Sequence, residues 1–327
     1  MYVDLDEWLD RARTEYLQTF IRDGGASVKF LVPSQDAEHE ELRQKLEESA
    51  RDEGYQFAFI DAAQTKVHMI DKVFHAIAIA RQVDWDQLAF SFLSRILPQN
   101  GYKVPSEQHE FSIHRIAELN SRDPSLLLTD LKGLLEQEIF KDYRMCLEFR
   151  LAMLRLCQAA LDPDSARPPR DVVHAWLTGT LRRISEMKPA LVFQKITRHN
   201  ARHMLSSLSH WITRAGKNGL VLALDISRCL AQRPRPRDPD DDSLYYSKAT
   251  ALDAYESLRQ CVDAVDEMEN CFIVVIVPSS FVQEHGRRSV WRYDALRLRI
   301  WDEVRDEHRA NPLSPLIRLK PRDEVQR

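Results

Sequence analysis

The stretch Ser27-Val-Lys-Phe-Leu-Val32, followed by Pro33-Ser-Gln-Asp-Ala-Glu-His-Glu-Glu41, decides how this chain is read. The first six residues predict a buried strand, and the pattern from Leu42 to Arg51 predicts a helix. A strand that turns through a short loop into a helix is a common place to hold a phosphate. Such a loop needs glycines to bring backbone N–H groups close, and a lysine followed by Ser or Thr. Here the loop has no glycine and carries Asp36, Glu38, Glu40 and Glu41. These charges would repel a triphosphate. The helix start still attracts anions, but the adjacent acids already use that position.

Working outward, residues 4–22 carry apolar side chains at helical spacing, and Gly24-Gly25 ends that helix. Tyr55-Gln-Phe-Ala-Phe-Ile-Asp61 predicts a second strand, which makes a β-α-β unit. Helical patterns then fill 67–81, 85–97, 110–120, 124–139, 142–161, 169–185 and 197–215. Strands resume at Gly219-Leu-Val-Leu-Ala-Leu-Asp225, Cys271-Phe-Ile-Val-Val-Ile-Val277 and Leu316-Ile-Arg-Leu319, with helices expected at 248–268 and 289–309. Continuous apolar runs suit strands covered on both faces. The expected fold is α/β, with about five mostly parallel strands and a large all-helical insertion after the second. The expected division is a first β-α-β part over 1–62, the insertion over 63–215, and the rest of the core over 216–327.

Composition narrows the function classes. The chain has 327 residues, a net charge of −4 and nine glycines. The charge argues against a generic cationic DNA-coating protein, and the few glycines leave little for loops that wrap phosphates. The five cysteines are widely spaced without a C-x-x-C, which suits reduced, buried thiols. The acidic N-terminus does not read as a signal peptide, and no apolar run approaches the ~20 residues that span a bilayer. A cytoplasmic location, away from membranes, is expected.

Asp225 ends the third strand as an acid after an apolar run. Such an acid can hold Mg²⁺ through water, with a following Glu to position an attacking water. Here Ile226, Ser227 and Arg228 follow, so the second carboxylate is missing. The alternative role for Asp225 is to cap a turn or pair with an arginine. Ser279, after the fourth strand, stands where a polar sensor residue would be useful, and is also an ordinary turn residue. Lys29 lies inside the first strand, too early to reach a phosphate at its carboxyl end.

Several segments, taken in order, carry a resemblance: Ala175-Trp-Leu-Thr-Gly179, Leu208 through Asp225, Tyr255 through Asp263, Arg292-Tyr-Asp-Ala-Leu296, and Asn311 through Leu319. From about 172 to 319 the chain resembles the ATP-binding proteins of BREX-type bacteriophage-exclusion loci, which are AAA-like P-loop proteins. The resemblance implies an AAA-like P-loop core, ATP with Mg²⁺, and work beside other antiphage proteins and DNA. Against that pattern the phosphate loop is replaced, the acid after Asp225 is Ile226, and no helical lid is expected after the last strand. Ser34, Gln35 and Asp36 then mark a vestigial loop, Asp225 a Walker B remnant and Ser279 a sensor-like residue. Neither bound ATP nor Mg²⁺ is expected. The leading expectation is a non-catalytic pseudo-ATPase, an interaction or regulatory subunit of an antiphage complex. Its partners would be other defence proteins, among them a full-length ATPase or further copies of itself. Two alternatives stand beside it: an ATPase completed by a partner subunit, and a DNA-binding adaptor.

Two basic stretches serve those alternatives. His199, His203 and His210 share one predicted helix with Arg198 and Arg202, but no Cys or Glu completes a zinc set, so no metal site is expected. The stretch 287–309 interleaves arginines with Trp291, Tyr293 and Trp301. Arg288 and Arg292 are arginine-finger candidates, and Arg287 and Arg297 candidates for a nucleic-acid or partner surface. Acids at i, i+3 and i+4 spacing give the same stretch a plainer reading as a salt-bridged amphipathic helix.

Overall fold

The computed structural model describes residues 2–35, 38–163, 166–231, 244–301 and 311–321. The chain forms two compact units: one of Met1–Ile77 with Asn218–Arg327, the other of Ala78–Lys217.

The first unit opens with α1 (Leu5–Arg11), whose N-cap Asp4 accepts from the N–H groups of Asp6 and Glu7. The helix continues as a π-helical segment, Ala12–Phe20. Strand β1 (Ala26–Val32) leads to α2 (Glu38–Asp52), β2 (Gln56–Asp61) and α3 (Ile70–Ile77).

Among its described residues the second unit has helices joined by turns and loops, and no strand. It holds α4 (Trp85–Gln99), α5 (Ile113–Leu119), α6 (Pro124–Leu135), α7 (Leu147–Leu161), α8 (Arg170–Leu177) and α9 (Ala201–Arg214). Pro124 opens α6 behind the N-cap Asp123, where its missing N–H costs nothing. Trp85, Phe92, Phe149, Trp176 and Trp211 are buried in this unit, with Phe92 and Trp211 ring centroids 4.6 Å apart.

The chain then returns to the first unit through β3 (Leu220–Asp225), the short α10 (Ser227–Leu230), α11 (Lys248–Asp263), β4 (Cys271–Ile276), α12 (Asp294–Ile300) and β5 (Leu316–Arg318). The strands form one sheet in the order β2-β3-β4-β1-β5, with every pairing parallel. Burial follows this order. All of β4 and all but the last residue of β3 are buried, as expected for strands covered on both faces. β2, on the edge, alternates at its inner end between half-buried and buried residues. Gly219 enters β3 at φ +133°, and a Cβ there would lie 2.1 Å from the Asn270 carbonyl oxygen, so only glycine fits.

Four helix expectations need correction. The helix expected over 289–309 is a 3₁₀ turn (Val290–Arg292) followed by α12; residues 302–310 lie outside the described ones. Arg299 bonds to Asp263 on α11, so part of the charge pattern serves tertiary rather than intrahelical pairing. The helix expected over 169–185 stops at Thr178, because Gly179 turns at φ +73°, and a 3₁₀ segment, Ile184–Ala190, follows. The one expected over 142–161 starts at Leu147. The one expected over 197–215 starts at Ala201, since Asn200 Oδ1 accepts from the Thr197 N–H in a turn before it.

Candidate functional site

The strand order locates the site. From β1 the chain leaves toward β2 on one side of the sheet, and from β4 it leaves toward β5 on the other. Where neighbouring strands part in this way, the crevice beyond their carboxyl ends is the usual ligand site of an open α/β sheet. Pro33–Gln35 follow β1 there, Ser279 follows β4, and Asp225 ends β3 beside β4.

The loop after β1 is filled from within. The carboxylate of Glu38, at the start of α2, accepts from the Ser34 N–H (3.0 Å), the Gln35 N–H (3.3 Å) and the Ser34 hydroxyl (2.9 Å). Two backbone donors that a phosphate oxygen would seek are therefore satisfied by a side chain of the same loop. Asp36, the third expected loop residue, lies outside the described residues.

Asp225 is equally engaged. Its Oδ2 lies 2.9 Å from His39 Nδ1, and its Oδ1 accepts from the Ser227 N–H at 2.8 Å. Ser227 Oγ stands 3.4 Å from the same histidine nitrogen. Burial pushes the Asp225 carboxyl upward, but the bonds from His39 and Ser227 outweigh it and hold the group below the usual aspartate value. On the neighbouring strand Asp61 pairs in register with Asp225. Burial raises the Asp61 carboxyl, the Ala63 N–H lowers it, and the nearby Asp225 charge raises it again, leaving it above its ordinary value. Asp225 thus turns the chain at the end of β3 and pairs with a histidine, rather than with the arginine considered from sequence.

His39 was not among the residues that sequence reasoning selected. A count from the end of β1 finds it. The phosphate-loop pattern G-x-x-x-x-G-K-[ST] spans eight positions, and laid from Pro33 its last three fall on Glu38, His39 and Glu40. Laid this way, the pattern puts histidine at the lysine position and a carboxylate at the second glycine.

The remaining sequence candidates are dispersed. Ser279 is exposed in a short 3₁₀ turn after β4. Arg288 donates to the carbonyl oxygens of Cys229 (3.0 Å), Ala231 (2.8 Å) and Tyr246 (2.7 Å), a set of neutral acceptors that pins α10 to the start of α11. Arg292 is exposed and donates to the Gly286 carbonyl oxygen at 3.2 Å. Arg297 bonds Asp294 and lies over the Trp291 ring at 4.7 Å, while Arg287 is exposed. Arg198 is exposed ahead of α9 and Arg202 is half-buried on it. Of the three histidines assigned to one helix, His199 precedes α9, His203 is exposed, and His210 is buried against Asp142 at 2.8 Å. Among the described residues no group of three or more His, Cys, Asp or Glu side chains is arranged to hold a metal ion.

A family model described as "BREX system ATP-binding protein BrxC/D" matches residues 134–326. That range covers more than half of the chain, including Asp225 and the strands from β3 to β5. The chain belongs to the BREX system ATP-binding protein BrxC/D family. Membership gives it a role in a BREX antiphage system and implies other proteins of that system as partners. The five-stranded parallel sheet is consistent with a P-loop-like core. β1, its loop and β2 precede the matched range. No curated protein and no solved structure matches the chain. No helix among the described residues is long and apolar enough to cross a membrane.

Proposed function

We propose that this BREX family member is a non-catalytic subunit, in which an AAA-like core serves as a scaffold for other defence proteins. One observation carries the reading: the Glu38 carboxylate sits on the Ser34 and Gln35 N–H groups, where a nucleotide phosphate would be cradled. The His39–Asp225 contact supports it, because it occupies the acid that would otherwise hold Mg²⁺ through water. The helical unit then reads as an insertion in the core that offers surface to partners, with DNA met through the assembled complex.

Equilibrium binding of labelled ATP with Mg²⁺ tests this directly. The expected result is no saturation in the micromolar range. Micromolar affinity that disappears in Asp225→Ala would overturn the proposal.

A second reading has its own support. Asp225 is retained at the end of β3 and held toward its ionised form. An ATPase completed by a partner subunit would use it. That reading requires ATP turnover in a reconstituted complex, with loss of turnover when Asp225→Asn is the only change.

A further inference from the structure

The helical unit contains a cavity of about 410 Å³ between the end of α4, the segment after α6 and the last turn of α9. Four cationic side chains, Arg95, Lys141, Arg144 and Arg214, line it against two carboxylates, Glu138 and Asp142. The carboxylates are already engaged. Glu138 accepts from Arg214 Nη2 at 2.7 Å, and Asp142 lies 2.8 Å from His210 Nε2 and 3.7 Å from Arg214 Nε.

Arg95 and Lys141 are held differently. Arg95 Nη1 donates to the carbonyl oxygens of Thr213 and Arg214, both at 3.0 Å, and so caps the C-terminal end of α9. Lys141 Nζ donates to the Gln137 amide oxygen at 2.8 Å. Both acceptors are uncharged groups, which orient the cations, and the partial negative charge at the end of α9 offsets only part of the charge on Arg95. Arg95 also borders a second open cavity of about 540 Å³, lined in part by Ser91, Ser94 and Ser106, so hydroxyl donors lie on its other side.

We propose that this cavity is a phosphate-binding site, separate from the sheet site. Arg95 supplies a rigid guanidinium suited to phosphate oxygens, and Lys141 a second positive charge. Orienting them in advance lowers the cost of binding. The volume suits a phosphate group with the moiety that carries it. The phosphate could belong to a small phosphorylated molecule or to a nucleic-acid backbone, and the test separates these sources.

The probes are sodium pyrophosphate, followed by titration calorimetry, and a fluorescein-labelled oligodeoxynucleotide, followed by anisotropy, both at low salt on the full chain. At least one is expected to bind saturably. Lys141→Glu is expected to weaken that binding at least about tenfold, the scale of one charge-assisted hydrogen bond. Arg95→Gln should do the same. Lys141 is exposed and bonds Gln137, so its replacement keeps the proposal testable where Arg95→Gln loosens α9. Pyrophosphate binding alone assigns the site to a small ligand; oligonucleotide binding with a steep salt slope assigns it to nucleic acid. If neither probe binds, or if binding survives Lys141→Glu unchanged, the proposal is wrong.

Discussion

His39 Nδ1 lies 2.9 Å from Asp225 Oδ2, so the first turn of α2 is tied to the carboxyl end of β3. The contact brings together residues 186 positions apart. It joins the seventh position counted from the end of β1 to the acid that ends β3. Both side chains are largely buried, so the pair is shielded from solvent and its loss has a measurable cost.

Asp225→Asn should destabilise the sheet unit by about 1–3 kcal/mol at neutral pH, the range for a buried charge-assisted bond. The pH dependence follows from the lowered carboxyl. Between its folded and unfolded values the native state binds fewer protons than the unfolded chain. The stabilisation is therefore complete above about pH 4 and is lost as pH falls through the folded value. Urea unfolding of the wild type and the variant should converge on acidification. A gap that stays constant down to the acid transition would count against this assignment.

Glu38→Ala removes the acceptor from the Ser34 and Gln35 N–H groups. The expected cost is about 0.5–2 kcal/mol, as for loss of a helix N-terminal cap. The exposed donors should then take an external anion. Sulfate should raise the melting temperature of the variant more than that of the wild type, beyond the shift that sulfate gives both proteins through exclusion from their surfaces. Equal shifts would show that the donors find another partner.

Lys29 is buried in β1, donates to the Leu313 carbonyl oxygen and lies over the Tyr16 ring at 4.8 Å. Burial lowers its ammonium to about 8. Between that value and the unfolded value the native state sheds its proton first, so this group's contribution to stability rises with pH across that window. Lys29→Met has no such term. Its stability relative to the wild type should fall by up to about 3 kcal/mol between neutral pH and pH ~10. A pH-independent difference would mean that the ammonium is better solvated than its burial implies.

Arg288→Ala should cost about 2–4 kcal/mol, because it leaves the carbonyl oxygens of Cys229, Ala231 and Tyr246 without their shared donor. The residue acts within its own chain, so thermal stability of the isolated protein should report the loss. A variant that melts like the wild type yet fails only in a reconstituted ATPase assembly would restore the arginine-finger reading.

The five strands were legible because short continuous apolar runs such as Cys271–Ile276, bounded by turn residues, suit strands covered on both faces. Asp225 was legible for the same reason, as the acid that ends such a run. His39 was not, because a motif search asks for glycine and lysine, whereas the useful operation was to count positions from the end of β1. The contacts of Arg288 were hidden for a different reason. Its acceptors are backbone carbonyls 42 to 59 residues away, and a carbonyl leaves no mark in the sequence. Trp291 and Trp301 do meet, with ring centroids 5.2 Å apart, but across a turn and a short helix rather than along one long helix.

The Glu38 carboxylate makes the loop after β1 a site with a built-in competitor. An anion tethered four residues from its donors acts at an effective concentration fixed by the chain, on the order of millimolar or higher. Any external phosphate must displace it before gaining anything from Ser34 or Gln35. If the chain is the non-catalytic subunit proposed above, covalent connectivity thereby sets the state of this loop ahead of any external anion.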